Sequence, residues 1–408
     1  MRITRALTLA GLFAGFAGLV GAPVAGGAAT TVNWAQPGFN SARTNYNPYE
    51  TTLSTKTVKT LHRVWRQPAT AYTGVVVANG LAYLANYPGT DAGIRAFDAK
   101  TGTLKWRTTF SDHDSNDASA PAVANGKVYT VTYSDFRFHL SAADATMGKE
   151  LWTVDIPDPA NINNTEEPLV ANGLVYVARN AFDGATGALV WRIPYQSDPH
   201  GCSSVDVVRQ GFLLGQPVMP VVNGVAYLRC GDGSIEARDA RTGAVRSIRP
   251  SSNEGSVPIV VNGVMYYGST GRMVARDAAT GALKWSTAAT APVGQPTVAN
   301  GVIIAVVGVL KQPYSIQAFD AATGKSKWII HIGYPLGDPV VANGVMYVST
   351  STGVSNAYDL KAVDVASGKV LRTIAGGGAY GNTAIVNGMV FVGSNAAPGS
   401  GFVQAFAP

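Results

Sequence analysis

The stretch Val75-Val76-Val77-Ala78-Asn79-Gly80-Leu81-Ala82-Tyr83-Leu84 sets an Asn-Gly pair between a β-branched run and an alternating one. Both central residues of a type I′ turn need positive φ, which Asn and Gly accept at least cost, so the stretch encodes a tight hairpin. The pair returns at Asn125-Gly126, Asn172-Gly173, Asn223-Gly224, Asn262-Gly263, Asn300-Gly301, Asn343-Gly344 and Asn387-Gly388. Eight such pairs in 408 residues define a repeat.

A second signature follows each hairpin. Ala96-Phe97-Asp98-Ala99-Lys100-Thr101-Gly102-Thr103-Leu104-Lys105-Trp106 shows it complete, as Ala-x-Asp-x-x-Thr-Gly-x-x-x-Trp. Asp144, Gly148 and Trp152 repeat it, as do Asp183, Gly187 and Trp191, then Asp277, Gly281 and Trp285, then Asp320, Gly324 and Trp328. Two copies keep the turn and lose the Trp: Asp239 and Gly243 lead to Ser247, and Asp364 and Gly368 lead to Arg372. An Asp that opens a turn closed by Gly can bond local backbone N–H groups, which predicts a second hairpin. Trp65, Trp106, Trp152, Trp191, Trp285 and Trp328 then offer large apolar surfaces for docking one repeat on the next.

Each unit is thus four short strands over about 43 residues, the period and content of a propeller blade. β-solenoid coils are shorter and lack paired hairpins, and helical solenoids need a different apolar period. Charged residues at 14%, apolar residues at 46% and 46 glycines suit a β-rich chain with many turns and exclude a disordered one. The last repeat stops at Ala405-Phe406-Ala407-Pro408 without its Trp strand, while Leu61-His62-Arg63-Val64-Trp65 has a Trp and no turn before it. Pairing these ends would remove exposed edges. The expected fold is therefore all-β: an eight-bladed β-propeller of four-stranded antiparallel blades over residues 61–408, with the last blade closed by the N-terminal strand.

Residues 1–29 carry Arg2 and Arg5, then an apolar run from Ala6 to Ala22, then small residues, as an export signal does. A retained anchor is the alternative, although the run barely reaches the roughly 20 residues of a spanning helix. A secreted or cell-surface protein with no membrane span in the mature chain is expected. Removal of the segment lowers the formal charge from +6 to +4, and no Lys/Arg run concentrates it into a nucleic-acid footprint. Residues 30–60 form a strap on the disc, with Trp34, Tyr46 and Leu53 packing inward and one or two helical turns near Val58. An insertion from Ser197 to Gly215 follows the short third repeat and contains Cys202, and such a long connection is either functional or decorative. In an oxidising compartment Cys202 and Cys230 are expected to form a disulfide worth on the order of 3 kcal/mol, two free thiols being the alternative. Neither has a zinc-like partner.

The Ala-x-Asp-x-x-Thr-Gly-x-x-x-Trp repeat resembles that of the quinoprotein-like propeller family over nearly all of the mature chain. Asn33-Trp34, Gly38, Arg43, Asn47-Pro48, Leu53, Val58, Leu61 and Trp65 also look like the strap before the first blade of quinoprotein alcohol dehydrogenases. The family includes PQQ-dependent dehydrogenases and catalytically silent members such as the barrel-assembly lipoprotein of Gram-negative outer membranes, so the resemblance implies the fold more than the function. The dehydrogenases resemble one another in a vicinal Cys-Cys pair over the quinone and in carboxylate and amide calcium ligands. This chain has no adjacent cysteines, and those ligands do not map onto it residue by residue.

Candidate sites follow from the blade model. Strand-entry residues, five and six positions before each Asn-Gly, should ring the axial channel; small or polar residues dominate, and the candidates among them are Glu166, Glu167, Gln295, Asp338 and Asn382. They could bind a cation or a polyol at the channel mouth, or line a water-filled channel. Asp112, Asp114 and Asn116 resemble the start of a calcium loop, but the expected Gly is Asp117 and the bidentate Glu is Val123. Gly376-Gly377-Gly378-Ala379-Tyr380-Gly381 satisfies a dinucleotide-binding string without the helix N-terminus that gives it meaning. The sequence therefore favours a monomeric binding or scaffolding module with no catalytic residues and no cofactor, its partner a protein or a cell-surface polymer. The alternative is a PQQ- and calcium-dependent dehydrogenase or a degenerate relative, with Tyr72 or Tyr380 as quinone floor; carboxylate chemistry at Glu166, Glu167 and Asp338 comes third.

Overall fold

The computed structural model describes residues 32–69, 74–86, 93–110, 117–134, 137–157, 167–194, 219–230, 232–249, 256–291, 293–308, 314–351, 353, 358–378, 381, 383–394 and 401–408. Residues 1–29, Tyr72, Asp112, Asp114, Asn116, Glu166, the insertion with Cys202, Tyr380 and Asn382 lie outside them. Residues Val32–Pro408 form one compact unit.

The hairpin residues take the backbone their chemistry predicts. Asn79, Asn125, Asn172, Asn223, Asn262, Asn300, Asn343 and Asn387 all have positive φ, and so does the Gly after each. Each turn joins a short strand to a longer one: Val76–Ala78 pairs with Leu81–Asn86, which pairs with Gly93–Asp98, which pairs with Leu104–Thr109. The third strand ends in the Asp turn, where Asp98 Oδ1 accepts the N–H groups of Lys100 and Thr101 and the Gly102 N–H donates to the Asp98 carbonyl. The same bonds recur at Asp144, Asp183, Asp239, Asp277 and Asp320. Past each of these turns the outer pairing slips by one residue beside the Trp position, a bulge that increases local twist.

Among the described residues the only helical segment is the 3-10 turn Thr57–Thr60, with Val58 buried beneath it. Among the described residues all sheets are antiparallel apart from one short parallel ladder in the strap. Five sheets have four strands, one has five and one has nine. The five-stranded sheet gains Asp117–Ala118 ahead of its innermost strand Ala122–Ala124. The nine-stranded sheet is two four-stranded sets joined where Tyr334 and Pro335 pair with Ser351 and Thr350, plus Tyr46–Asn47 beside Val341–Ala342. In the last sheet the outer strand comes from the start of the chain: His62–Pro68 pairs with Phe402–Ala407, His62 opposite Ala407.

The core lies between sheets. Val76 and Tyr83 of the first sheet pack with Val123, Val128 and Ala143 of the second, and the other clusters straddle sheet boundaries in the same way. The short strands before the Asn-Gly turns are neighbours: 76–78 touches 122–124, which touches 169–171. Likewise 259–261, 297–299, 340–342 and 384–386 lie side by side, and the last returns to 76–78.

The tryptophans hold each sheet to the next. Trp106 Nε1 donates to the Ala145 carbonyl at 3.2 Å, and Gly148 lies against its ring so closely that a Cβ would clash. Trp65 docks in this way on Ala99 and Gly102, Trp152 on Ala185 and Gly187, Trp191 on Ala240 and Gly243, Trp285 on Ala321 and Gly324, and Trp328 on Val365 and Gly368. Trp65, Trp106 and Trp191 are buried, whereas Trp152, Trp285 and Trp328 keep one edge in solvent. A tyrosine on the second strand reinforces the contact: Tyr83, Tyr129, Tyr176 and Tyr266 hydroxyls donate to Ala145, Gly184, Ala240 and Ala321 carbonyls. Where the sequence lacks Trp, an arginine takes over. Arg249 donates to the Ala278 and Ala279 carbonyls and lies against Gly281, and Arg372 donates to Lys59 and Leu61 carbonyls.

Candidate functional site

The innermost strand of each sheet has one edge without a strand partner, and its N–H groups need acceptors. The strap supplies them. Val77 N–H donates to the Trp34 carbonyl, Val123 to Ala35, Val221 to Ser41, Val298 to Thr44 and Val341 to Asn45, at 2.6–3.3 Å. Val170 N–H donates to Gln36 Oε1, and the Asn47 amide donates to the Ile385 carbonyl. Each of these strand residues stands two places before an Asn-Gly turn, so the strap visits one position in seven of the eight repeats.

To turn within this narrow path the strap uses left-handed backbone at Gly38, Phe39, Arg43 and Asn45. Only Gly fits at position 38, because a Cβ there would lie 2.8 Å from the Arg43 Cα. A left-handed arginine is uncommon and is held by its surroundings: Arg43 N–H donates to the Asn40 carbonyl, and Asn45 N–H to Gly38. The outcome is a cation in the interior. Arg43 is 4% exposed, and its Nη2 donates to Glu167 Oε2 at 2.7 Å.

Glu167 comes from the strand entry before Leu169, and Asp338 from the corresponding entry before Val340. Burial pushes both carboxyls up, Asp338 to about 6. Arg43 opposes the rise in both, while the charge of Glu167 adds to it in Asp338 and the Asn45 amide counteracts it. Because the guanidinium bonds Glu167 directly, the proton that such a crowded pair retains belongs on Asp338. Arg43 Nη1 is buried with no hydrogen-bond partner among the described residues.

Of the residues that the sequence singled out at the axial mouth, Glu167 and Asp338 thus meet around one arginine. Gln295 is half-buried before strand Thr297–Ala299 and takes no part in their hydrogen bonds. Glu166, Asn382 and the calcium-loop residues Asp112, Asp114 and Asn116 lie outside the described residues. Cys230 is buried just past strand Val225–Arg229, and Cys202 lies outside. Sequence reasoning missed Arg43 as the partner of Glu167. Its one visible signal was a lone cation in an otherwise uncharged strap from Val32 to Pro48.

Beside Glu167 the described residues do not suit a calcium ion. The space beside Glu167 holds a guanidinium, which supplies the positive charge a calcium ion would bring, and Asp338 tends to keep its proton. A divalent ion there would have to displace Arg43 and release that proton.

A family model described as outer membrane protein assembly factor BamB matches residues 53–229 and 231–398. The chain belongs to this PQQ-repeat family. Curated relatives fall into two groups. The quinone alcohol dehydrogenase subunit of Gluconobacter oxydans is 27% identical over 43% of this chain and 27% of its own length. The assembly factor BamB of Burkholderia pseudomallei is 26% identical over 43% of this chain and 46% of its own. The matches thus span about a quarter of the dehydrogenase subunit and under half of the assembly factor. Among solved structures, quinohemoprotein alcohol dehydrogenase from Comamonas testosteroni matches with a TM-score of 0.66 at 16% identity, covering 92% of this chain and 80% of that one. BamB from Moraxella catarrhalis matches with 0.61 at 18% identity, covering 85% and 98%. At such identities the likeness shows the propeller-type fold and leaves function open.

Proposed function

We propose that this protein is an exported eight-bladed propeller that works as a binding or scaffolding module, with no quinone chemistry at its axis. The observation that carries this reading is Arg43, which pairs with the strand-entry carboxylate Glu167 from within the chain. Eight blades follow if the nine-stranded sheet is counted as two and the five-stranded one as a blade with a broken inner strand. Supporting that count, the docking side chains Trp65, Trp106, Trp152, Trp191, Arg249, Trp285, Trp328 and Arg372 lead from each four-stranded set to the next. Residues 1–29 act as the export signal, residues 30–60 as the strap, and Cys202 and Cys230 form a disulfide in the extracytoplasmic compartment. The module is monomeric, and its partner is a protein or a cell-surface polymer.

Titration of the purified mature protein with PQQ, with and without calcium, tests the reading. No saturable heat and no quinone absorbance are expected, and dye-linked alcohol oxidation stays at background. The second reading, a quinoprotein dehydrogenase or a degenerate relative that keeps cofactor affinity, is favoured by the dehydrogenase matches. Saturable binding near micromolar would establish it and overturn the first.

A further inference from the structure

Formal charge is distributed very unevenly along this chain. Residues 51–90 and 365–408 together contain six Lys or Arg and no Asp or Glu. Beyond residue 29 the rest of the chain carries 23 Lys and Arg against 25 Asp and Glu. The two uncompensated stretches are the ones that meet in the last sheet, where His62–Pro68 pairs with Phe402–Ala407. All six cations, Lys56, Lys59, Arg63, Arg66, Lys369 and Arg372, are exposed.

The cause lies in how the repeat is cut. In other sheets the Asp turn brings a carboxylate to the start of the outer strand, and that strand's cation pairs with it: Lys105 with Asp98, Arg246 with Asp239, Lys284 with Asp277. The outer strand of the last sheet arrives from the other end of the chain and has no such turn before it. Arg63 and Lys59 accordingly make no ion pair among the described residues, and Arg66 stacks on the Phe402 ring instead. Arg372 joins the neighbouring outer strand Val370–Ile374 to this place through the Lys59 and Leu61 carbonyls. Both outer strands are sheet edges with unpaired backbone groups, and both expose a valine, Val64 and Val370.

We propose that this basic seam, formed by the edge His62–Pro68 with Lys56, Lys59, Lys369 and Arg372, docks an extended acidic segment of a partner protein. Three features choose that occupant. The cations select carboxylates, the open edges offer hydrogen bonds to a backbone, and the valines offer apolar contact between them. A polyphosphate or a lipid headgroup would use only the first. A second copy of the chain would set like charges together, so the seam also resists self-pairing. The inference deepens the binding-module reading by naming its partner class, and it rests on that reading.

The test measures binding of a fluorescent alternating glutamate–threonine peptide to the mature protein at low and at physiological salt. The probes for comparison are a lysine–threonine peptide, polyphosphate and vesicles of anionic phospholipid. Saturable binding of the acidic peptide is expected, weakened by salt, with no binding of the basic one. Lys59→Glu with Arg63→Glu should weaken it roughly tenfold or more at an unchanged melting temperature, and Lys325→Glu, just before the distant outer strand Ser326–Pro335, should leave it intact. Should the double variant unfold, the wild-type contrast between the two peptides and its salt dependence still decide. Preference for polyphosphate or vesicles, indifference to the double variant, or no peptide binding at low salt would overturn the proposal. Peptide binding in a protein that also turns over a quinone would leave the seam standing and sink the scaffold reading alone.

Discussion

Arg43 combines two costs that a protein rarely accepts at one residue: a left-handed backbone and a buried charge. Both persist because the strap is anchored on either side of it by bonds to the innermost strands. Removing the cation leaves Glu167 buried opposite nothing, so Arg43→Met is expected to cost about 3–5 kcal/mol of stability in urea unfolding. Adding Glu167→Gln removes the uncompensated carboxylate and should restore most of that loss. If the double variant is no more stable than the single one, the two side chains do not act as a pair. Asp338 is coupled to this pair: burial raises it first, the charge of Glu167 adds to the rise, and Arg43 opposes it.

At the scale of strands and turns, the sequence was legible wherever its determinants are local. Asn-Gly turns and Asp turns need residues within a few positions of one another, and all eight Asn residues have the φ that their pairing predicts. The partner of Glu167 was not legible, because Arg43 lies 124 residues away and nothing in either segment names the other. Arg249 and Arg372 were hidden for a related reason. Arg372 holds the position of the missing Trp, but Arg249 reaches from two residues beyond Ser247, along the same face of its strand. These substitutes give a prediction about unequal seams. Trp106 is buried, in tilted contact with the Tyr83 ring and covered by Gly148, so Trp106→Ala should cost about 3–5 kcal/mol. Arg249 gives up mainly hydrogen bonds to two carbonyls, and Arg249→Ala should cost about 1 kcal/mol. Thermal or urea unfolding of the two variants compares them directly, and equal losses would mean that the indole contributes no more than a hydrogen bond.

Across the whole molecule two sets of carboxylates set opposite slopes of stability against pH. Asp98, Asp144, Asp183, Asp239, Asp277 and Asp320 lie below the usual carboxylate range: turn N–H groups and hydroxyls bond their charged form, and at Asp239 the Arg246 guanidinium contributes most. Their contribution is complete above the ordinary carboxylate value near 4 and is lost as pH falls through their lowered values. Asp338 behaves in the reverse sense. Burial raises it to about 6, so the folded state holds a proton that the unfolded chain has released, and stability falls as pH rises from about 4 to about 6. A shift of this size corresponds to roughly 2–3 kcal/mol. The protein should therefore be most stable near pH 4 to 5, well below neutral, a mildly acidic optimum that the exposed turn aspartates alone would not produce. Melting temperatures measured from pH 3 to pH 8 would show it, and Asp338→Asn should flatten the upper limb while leaving the acid limb in place. An optimum that remains at neutral pH in the wild type would mean that Asp338 is ionised in the folded protein, and the axial cluster would then carry a net negative charge around Arg43.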